Sequence, residues 1–202
     1  MNKQKDGFKI ILIIVASIFI NIVIVLSCIF ILEKYSQQEI TTDTSKYQEL
    51  IGIEAKNQYK DKWGMSEEIF PKKIDNLNVS NFKMIYYNTL DKQYLSYLVV
   101  DYTEDEYNKE VERLNKYGIE KYIGYYSVTG FTNYKLLAME SDSYQGFVYA
   151  ITDGKTKIIY VEMIFCNYIM DIKYEEQIPN EYLPDGFDAK VNNKYKNKML
   201  KN

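Results

Sequence analysis

The hydrophobic pattern of the chain is dominated by one unbroken apolar run near its start. Residues 10–32 read IILIIVASIFINIVIVLSCIFIL, without a charged side chain. A helix rising about 1.5 Å per residue would carry this run roughly 34 Å, enough to cross a hydrocarbon core of about 30 Å with some tilt. The run predicts a retained transmembrane helix. A secretory signal has a shorter apolar region, about 7–15 residues, before a small-x-small cleavage site, a poor description of this segment. Val25-Leu26-Ser27-Cys28 has the outline of a lipobox, yet Ile29-Phe30-Ile31-Leu32 follows it. Lipidation at Cys28 would therefore leave an apolar stub, which favours an intact span.

Beyond the run the periodicities shorten. Residues 33–49 are polar without a strong break and suit a helix extension or a short stalk. Tyr47, Leu50, Ile51 and Ala55 recur at helical spacing, with Ser45 placed to cap that turn. Trp63-Gly64 reads as a turn, and a short helical piece from Ser66 ends before Pro71. Residues 72–81 are loop-like. Two aromatic-rich runs, 81–88 and 93–101, predict a hairpin with its turn near 89–92. Thr103-Glu104-Asp105-Glu106 is a capping-box pattern, and Tyr107, Val111 and Leu114 then form an apolar stripe. Gly118 supplies the left-handed residue that ends this helix. Further strands are predicted at 122–127, 134–140, 146–152 and 156–166, with Asp153-Gly154 turning the last pair. Pro179 and Pro184-Asp185-Gly186 make 167–187 mostly turns.

Two strands, one helix and then further strands define an α+β fold: an antiparallel sheet with one main helix packed on a face. The helix stripe is expected against Ile159, Val161 and Met163 of the last strand. The predicted organisation is an N-terminal tail (1–9), the transmembrane helix (10–32), a juxtamembrane helical or linker segment (33–80), the α+β domain (81–187) and a basic tail (188–202).

Charge refines this picture. Lys3, Lys5 and Lys9 against Asp6 give the first 32 residues +2, and five lysines against Asp188 give the last fifteen +4. With −3 for the whole chain, residues 33–187 carry −9. An acidic body is a poor nucleic-acid binder, because a phosphate backbone demands a basic surface. The lysines before the run, against only Lys34 just after it, predict a cytoplasmic N-terminus and an extracytoplasmic body at the cell membrane. One arginine among 25 basic residues, with abundant Asn, Ile and Tyr, points to an AT-rich bacterial genome. That bias also supplies a plain reason for 21 tyrosines, beside the alternative of a Tyr-coated binding surface.

The candidate chemistry is sparse. There is no histidine, which removes Ser-His-Asp and Cys-His catalysis and the common zinc sites. No Gly-rich phosphate loop is present. No catalytic, cofactor-binding or metal-ligating residue is assigned, and Cys166 is expected to be buried and inert. Glu162 interrupts an apolar strand on the face shared by Tyr160 and Ile164. Paired with Asp101 it would offer the two carboxylates of a surface glycan hydrolase, although a solvent-facing sheet position is the simpler expectation. Glu140, Asp142 and Asp185 fall in loops without calcium-loop spacing. Within the apolar run, Ser17, Asn21 and Cys28 lie along one helical stripe. It suits pairing with a second copy or another membrane protein, and the alternative is an Asn21 amide bonded back to its own helix.

Lys5, Gly7-Phe8, the long apolar helix and the α+β body together resemble type IV pilins, which implies processing after Gly7 and a structural or assembly role through the helix. The chain departs from the pilin pattern at Leu12, where pilins carry a glutamate, and at Lys9. The leading expectation is a non-enzymatic, membrane-anchored extracytoplasmic domain that binds a partner or ligand. A pilin-like assembly subunit comes second and a carboxylate-based hydrolase third.

Overall fold

A computed structural model describes residues 2–35, 37–52, 54–56, 59–60, 62–65, 68–88, 92–166 and 172–190. Ser66, the turn at 89–91 and the greater part of the basic tail, 191–202, lie outside them. The chain divides into two units, Met1–Gln37 and Gln38–Asn202. In the first, α1 (Asn2–Tyr35) is a single helix of 34 residues. Its window Leu12–Ile29 is long and apolar enough to cross a membrane, and none of it is buried in protein. By length and composition it suits a membrane anchor or a signal sequence.

The second unit is built on a six-stranded antiparallel sheet in the order β1-β2-β3-β6-β5-β4. Its strands are β1 (Gln37–Thr41), β2 (Val79–Asn88), β3 (Gln93–Asp101), β4 (Lys135–Asp142), β5 (Gly146–Thr152) and β6 (Lys157–Ile164). A four-residue helix, α2 (Tyr47–Leu50), precedes β2, and α3 (Glu104–Asn115) follows β3. The β5–β6 turn forms where Asp153-Gly154 predicted it: Gly154 is left-handed at φ +78°, and Asp153 Oδ1 accepts from the Lys155 and Lys157 amides. The capping box also forms. Thr103 Oγ1 accepts from the Glu106 amide at 3.4 Å, and Glu106 Oε2 accepts from the Thr103 amide at 3.1 Å.

Both faces of the sheet are covered, so β3, β5 and β6 are buried almost throughout. The first face presents Met84, Tyr94, Leu98, Val148, Ile158 and Tyr160 to the 47–77 segment and to the α3 stripe of Tyr107, Val111 and Leu114. The second presents Leu95, Tyr97, Tyr149, Ile159, Val161 and Met163 to loops carrying Tyr126, Val128, Tyr174 and Ile178. The stripe therefore packs on the opposite side from the expected Ile159, Val161 and Met163. Tyr102, already buried with the first-face cluster and held by its amide to the Thr156 carbonyl at 2.9 Å, leads the chain into α3 on that face. With apolar side chains on both faces, β6 lacks the alternation that would have told them apart.

Three local expectations are corrected. Within residues 33–80, expected as a juxtamembrane helical or linker segment, the described residues supply an edge strand and nine core side chains, Tyr47 to Ile74, each worth roughly 1.5–3 kcal/mol if large and fully buried. Asp43, not Ser45, caps the turn there, its Oδ1 accepting from the Ser45 amide at 3.0 Å. Residues 122–127 form no strand; Tyr125–Ser127 is a 3-10 turn in which Tyr126 and Ser127 have positive φ.

At least ten of the 21 tyrosines are buried. Several fasten a covering segment through the hydroxyl while the ring fills the core: Tyr47 donates to the Pro71 carbonyl at 2.6 Å, and Tyr149 to that of Tyr182 at 2.7 Å. Burial raises the Tyr126 and Tyr149 hydroxyls well above the ordinary tyrosine value, so they remain neutral donors.

Candidate functional site

Two polar clusters stand on the first face. The deeper one contains Glu162, which is fully buried rather than solvent-facing. Its register position opposite Ser96 on β3 and Val148 on β5 places it in the middle of the sheet. Lys62, 1 % exposed, reaches it from the covering segment, its ammonium lying 3.1 and 3.0 Å from the two carboxylate oxygens. Ser96 donates a short hydrogen bond to Glu162 Oε1, and the ammonium lies 5.1 Å from the centre of the Tyr94 ring. Next along the chain, Trp63 stacks on Phe165 with centroids 4.7 Å apart, and both residues have positive φ. Burying two charges costs several kcal/mol each, and the bidentate contact with its added hydrogen bonds offsets this. Sequence reasoning singled out Glu162 and missed Lys62. The available signal was indirect: a carboxylate in a strand buried on both faces requires a cation.

The hydrolase pairing does not form. Asp101 faces Lys157 across β3 and β6, five residues from Glu162, or about 17 Å at strand rise. Glycosidase carboxylates stand about 5–9.5 Å apart. Asp101 has instead a loose ion pair with Lys157 at 3.8 Å. The loop acids serve local turns: Asp142 Oδ1 accepts the Tyr144 and Gln145 amides, and the Asp185 side chain accepts from Thr132. Cys166 is buried, its thiol donating to the Met163 carbonyl at 3.1 Å.

The second cluster opens to solvent as a cleft between residues 71–77 and α3, about 540 Å³ in volume. Its floor is a hydrogen-bonded chain. Arg113 grips Glu110 in a fork, Nη2 to Oε1 at 2.6 Å and Nε to Oε2 at 2.8 Å. Two further bonds tie the guanidinium to the carbonyls of Glu68 and Ile69, at 2.9 and 2.7 Å, so α3 is clamped to the covering segment. Tyr160 donates to Glu110 Oε1 at 2.6 Å; with its proton so used, its oxygen accepts from Tyr102 at 2.7 Å. Burial, with the nearby Glu110 charge, holds the Tyr102 hydroxyl far above its ordinary value. Burial works against the Arg113 cation, but the Glu110 contact prevails and raises its pKa. The walls carry Lys72, Lys73 and Lys109, all exposed, with Tyr117 above Arg113 at 5.5 Å. Glu106, the remaining acid, is turned to the helix cap; its bond from the Thr103 hydroxyl, then that from the Thr103 amide, lowers its pKa.

In α1, the Asn21 side-chain amide donates to the Ser17 carbonyl one turn back at 2.8 Å. Ser17, Asn21 and Cys28 all lie in the exposed part of the helix. Every side chain from Leu12 to Ile29 is exposed in the same way, and one amide donor of Asn21 is satisfied within its own helix.

Comparison with protein-family models, with curated proteins and with solved structures finds no match to this chain.

Proposed function

We propose that this chain is a single-pass membrane protein whose body, residues 38–190, stands on the extracytoplasmic side as a non-enzymatic binding domain. The observation that carries the reading is α1. Thirteen of the eighteen residues in Leu12–Ile29 are Leu, Ile, Val or Phe, exposed along a helix with no protein cover. Inserting them at about 0.3–0.6 kcal/mol each contributes on the order of 4–8 kcal/mol, ample against a single Asn whose amide is already bonded. The positive N-tail favours a cytoplasmic N-terminus. The body itself offers a ligand-sized cleft and a set of reactive groups already committed to one another, which suits binding better than catalysis.

Alkaline carbonate extraction and protease treatment of intact, wall-stripped cells test this. Full-length protein should stay in the membrane pellet while its body is cut from outside. Recovery in the soluble fraction, or a body protected until cells are lysed, would overturn the proposal. N-terminal sequencing of the pelleted protein separates the assembly reading, which requires a new terminus at Phe8.

A further inference from the structure

We infer that the cleft between residues 71–77 and α3 binds a phosphoryl-bearing anion. The inference rests on the binding reading above and names its ligand class. Lys72, Lys73, Lys109 and Arg113 line the cleft with only two carboxylates, in a body whose overall charge is strongly negative. Both carboxylates are spent. Glu110 is neutralised by the Arg113 fork and further satisfied by Tyr160, and Glu106 is bonded to the Thr103 amide and hydroxyl. Lys72, Lys73 and Lys109 have no ion pair within 4 Å among the described residues, a condition shared by other exposed lysines such as Lys121, Lys135 and Lys155; what sets the cleft apart is that three such lysines line one concavity, with Lys109 also near Glu106. The lining of the cleft therefore carries an excess of positive charge, contributed by three exposed ammonium groups.

The type of cation decides the type of anion. A planar carboxylate is best recognised by the flat fork of a guanidinium, and the only arginine is fully engaged. Free lysines act as point charges that converge on a tetrahedral oxyanion from several directions. The volume, about 540 Å³, admits a phosphorylated group larger than phosphate itself. Leu77 and Pro71 provide an apolar wall for whatever the phosphoryl group is attached to.

The test uses full-length protein in neutral detergent, with binding read by microscale thermophoresis. Three probes share the chemistry and separate its sources: pyrophosphate for a free anion, glycerol-phosphate oligomer for a surface polymer, and nanodiscs of phosphatidylglycerol against phosphatidylcholine for a lipid headgroup. Saturable binding of at least one probe is expected. It should weaken by at least about tenfold in Lys72→Gln/Lys73→Gln/Lys109→Gln, as charge-assisted bonds are lost. The control Lys121→Gln/Lys135→Gln/Lys155→Gln alters net charge equally at exposed positions away from the cleft and should change binding less than about twofold. The triple Lys→Arg variant should retain binding. Absence of binding to every probe, or equal loss in the cleft and control variants, overturns the inference. Neither result bears on the anchor, which carbonate extraction reads separately.

Discussion

Replacing Lys62 with methionine removes the cation beneath Glu162 while keeping a flexible, similarly long side chain in the core. At the observed 3.0 Å, two unit charges attract by about 5–6 kcal/mol at an effective dielectric constant near 20. Desolvation has already been incurred by both partners, so losing one leaves a bare carboxylate at the centre of a sheet. The expected cost is about 3–5 kcal/mol, a large part of the roughly 5–15 kcal/mol that holds a domain together. For a body of this size that lowers Tm by about 6–20 °C. Trp63, the one tryptophan, adjoins Lys62 and stacks on Phe165, so its fluorescence reports the transition directly in urea titrations of the detergent-solubilised chain. Glu162→Met should be comparably damaging. The double variant Lys62→Met/Glu162→Met should recover to within about 2 kcal/mol of wild type, because an apolar pair suits the site better than an orphaned charge. A single Lys62→Met variant within 1 kcal/mol of wild type, or a double variant weaker than both singles, would refute this account of the pair.

Four further outcomes are expected. Gly146→Ala should abolish folding of the body or cost more than about 3 kcal/mol in urea titration, since its new methyl would collide with the Met163 carbonyl and meet Cys166 Sγ at 2.6 Å, at a φ of +115°. Arg113→Lys cannot reproduce the fork to Glu110 or the two carbonyl bonds, and should lower stability by about 1.5–3 kcal/mol by the same titration. Thr103→Ala should cost about 1 kcal/mol at neutral pH; the hydroxyl bond that it removes from Glu106 helps to depress the Glu106 pKa, so that part is present above the ordinary glutamate value of about 4.3 and is lost as pH falls through the lower folded value, and the gap between variant and wild type should narrow on acidification without closing, since Thr103 Oγ1 accepts the Glu106 amide at any pH. Asn21→Leu should leave the yield of crosslinked oligomer in membranes unchanged, as its amide is bonded to Ser17; a fall in yield would instead assign pairing to the Ser17–Asn21–Cys28 stripe.

Several features were legible in the residues alone because the forces that make them are local. Twenty-three uncharged residues suffice for α1, whatever the rest of the chain does. Thr103 and Glu106 satisfy each other's amides within one turn, and Asp153-Gly154 forms its bend from its own backbone preference. Those signals were enough to name an antiparallel α+β body with one main helix packed on its sheet. What the tertiary structure alone decided depends on residues far apart in sequence. Lys62 looks like any lysine of a polar stretch until folding brings it across 100 positions to Glu162. Arg113 and Glu110 stand one turn apart on α3, but Glu68, Ile69, Tyr160 and Tyr102 close around them only in the fold. The side of the sheet taken by α3 was hidden for the same reason that the body is well covered: strands buried on both faces carry apolar side chains on both, and periodicity then carries little information about which face meets which partner.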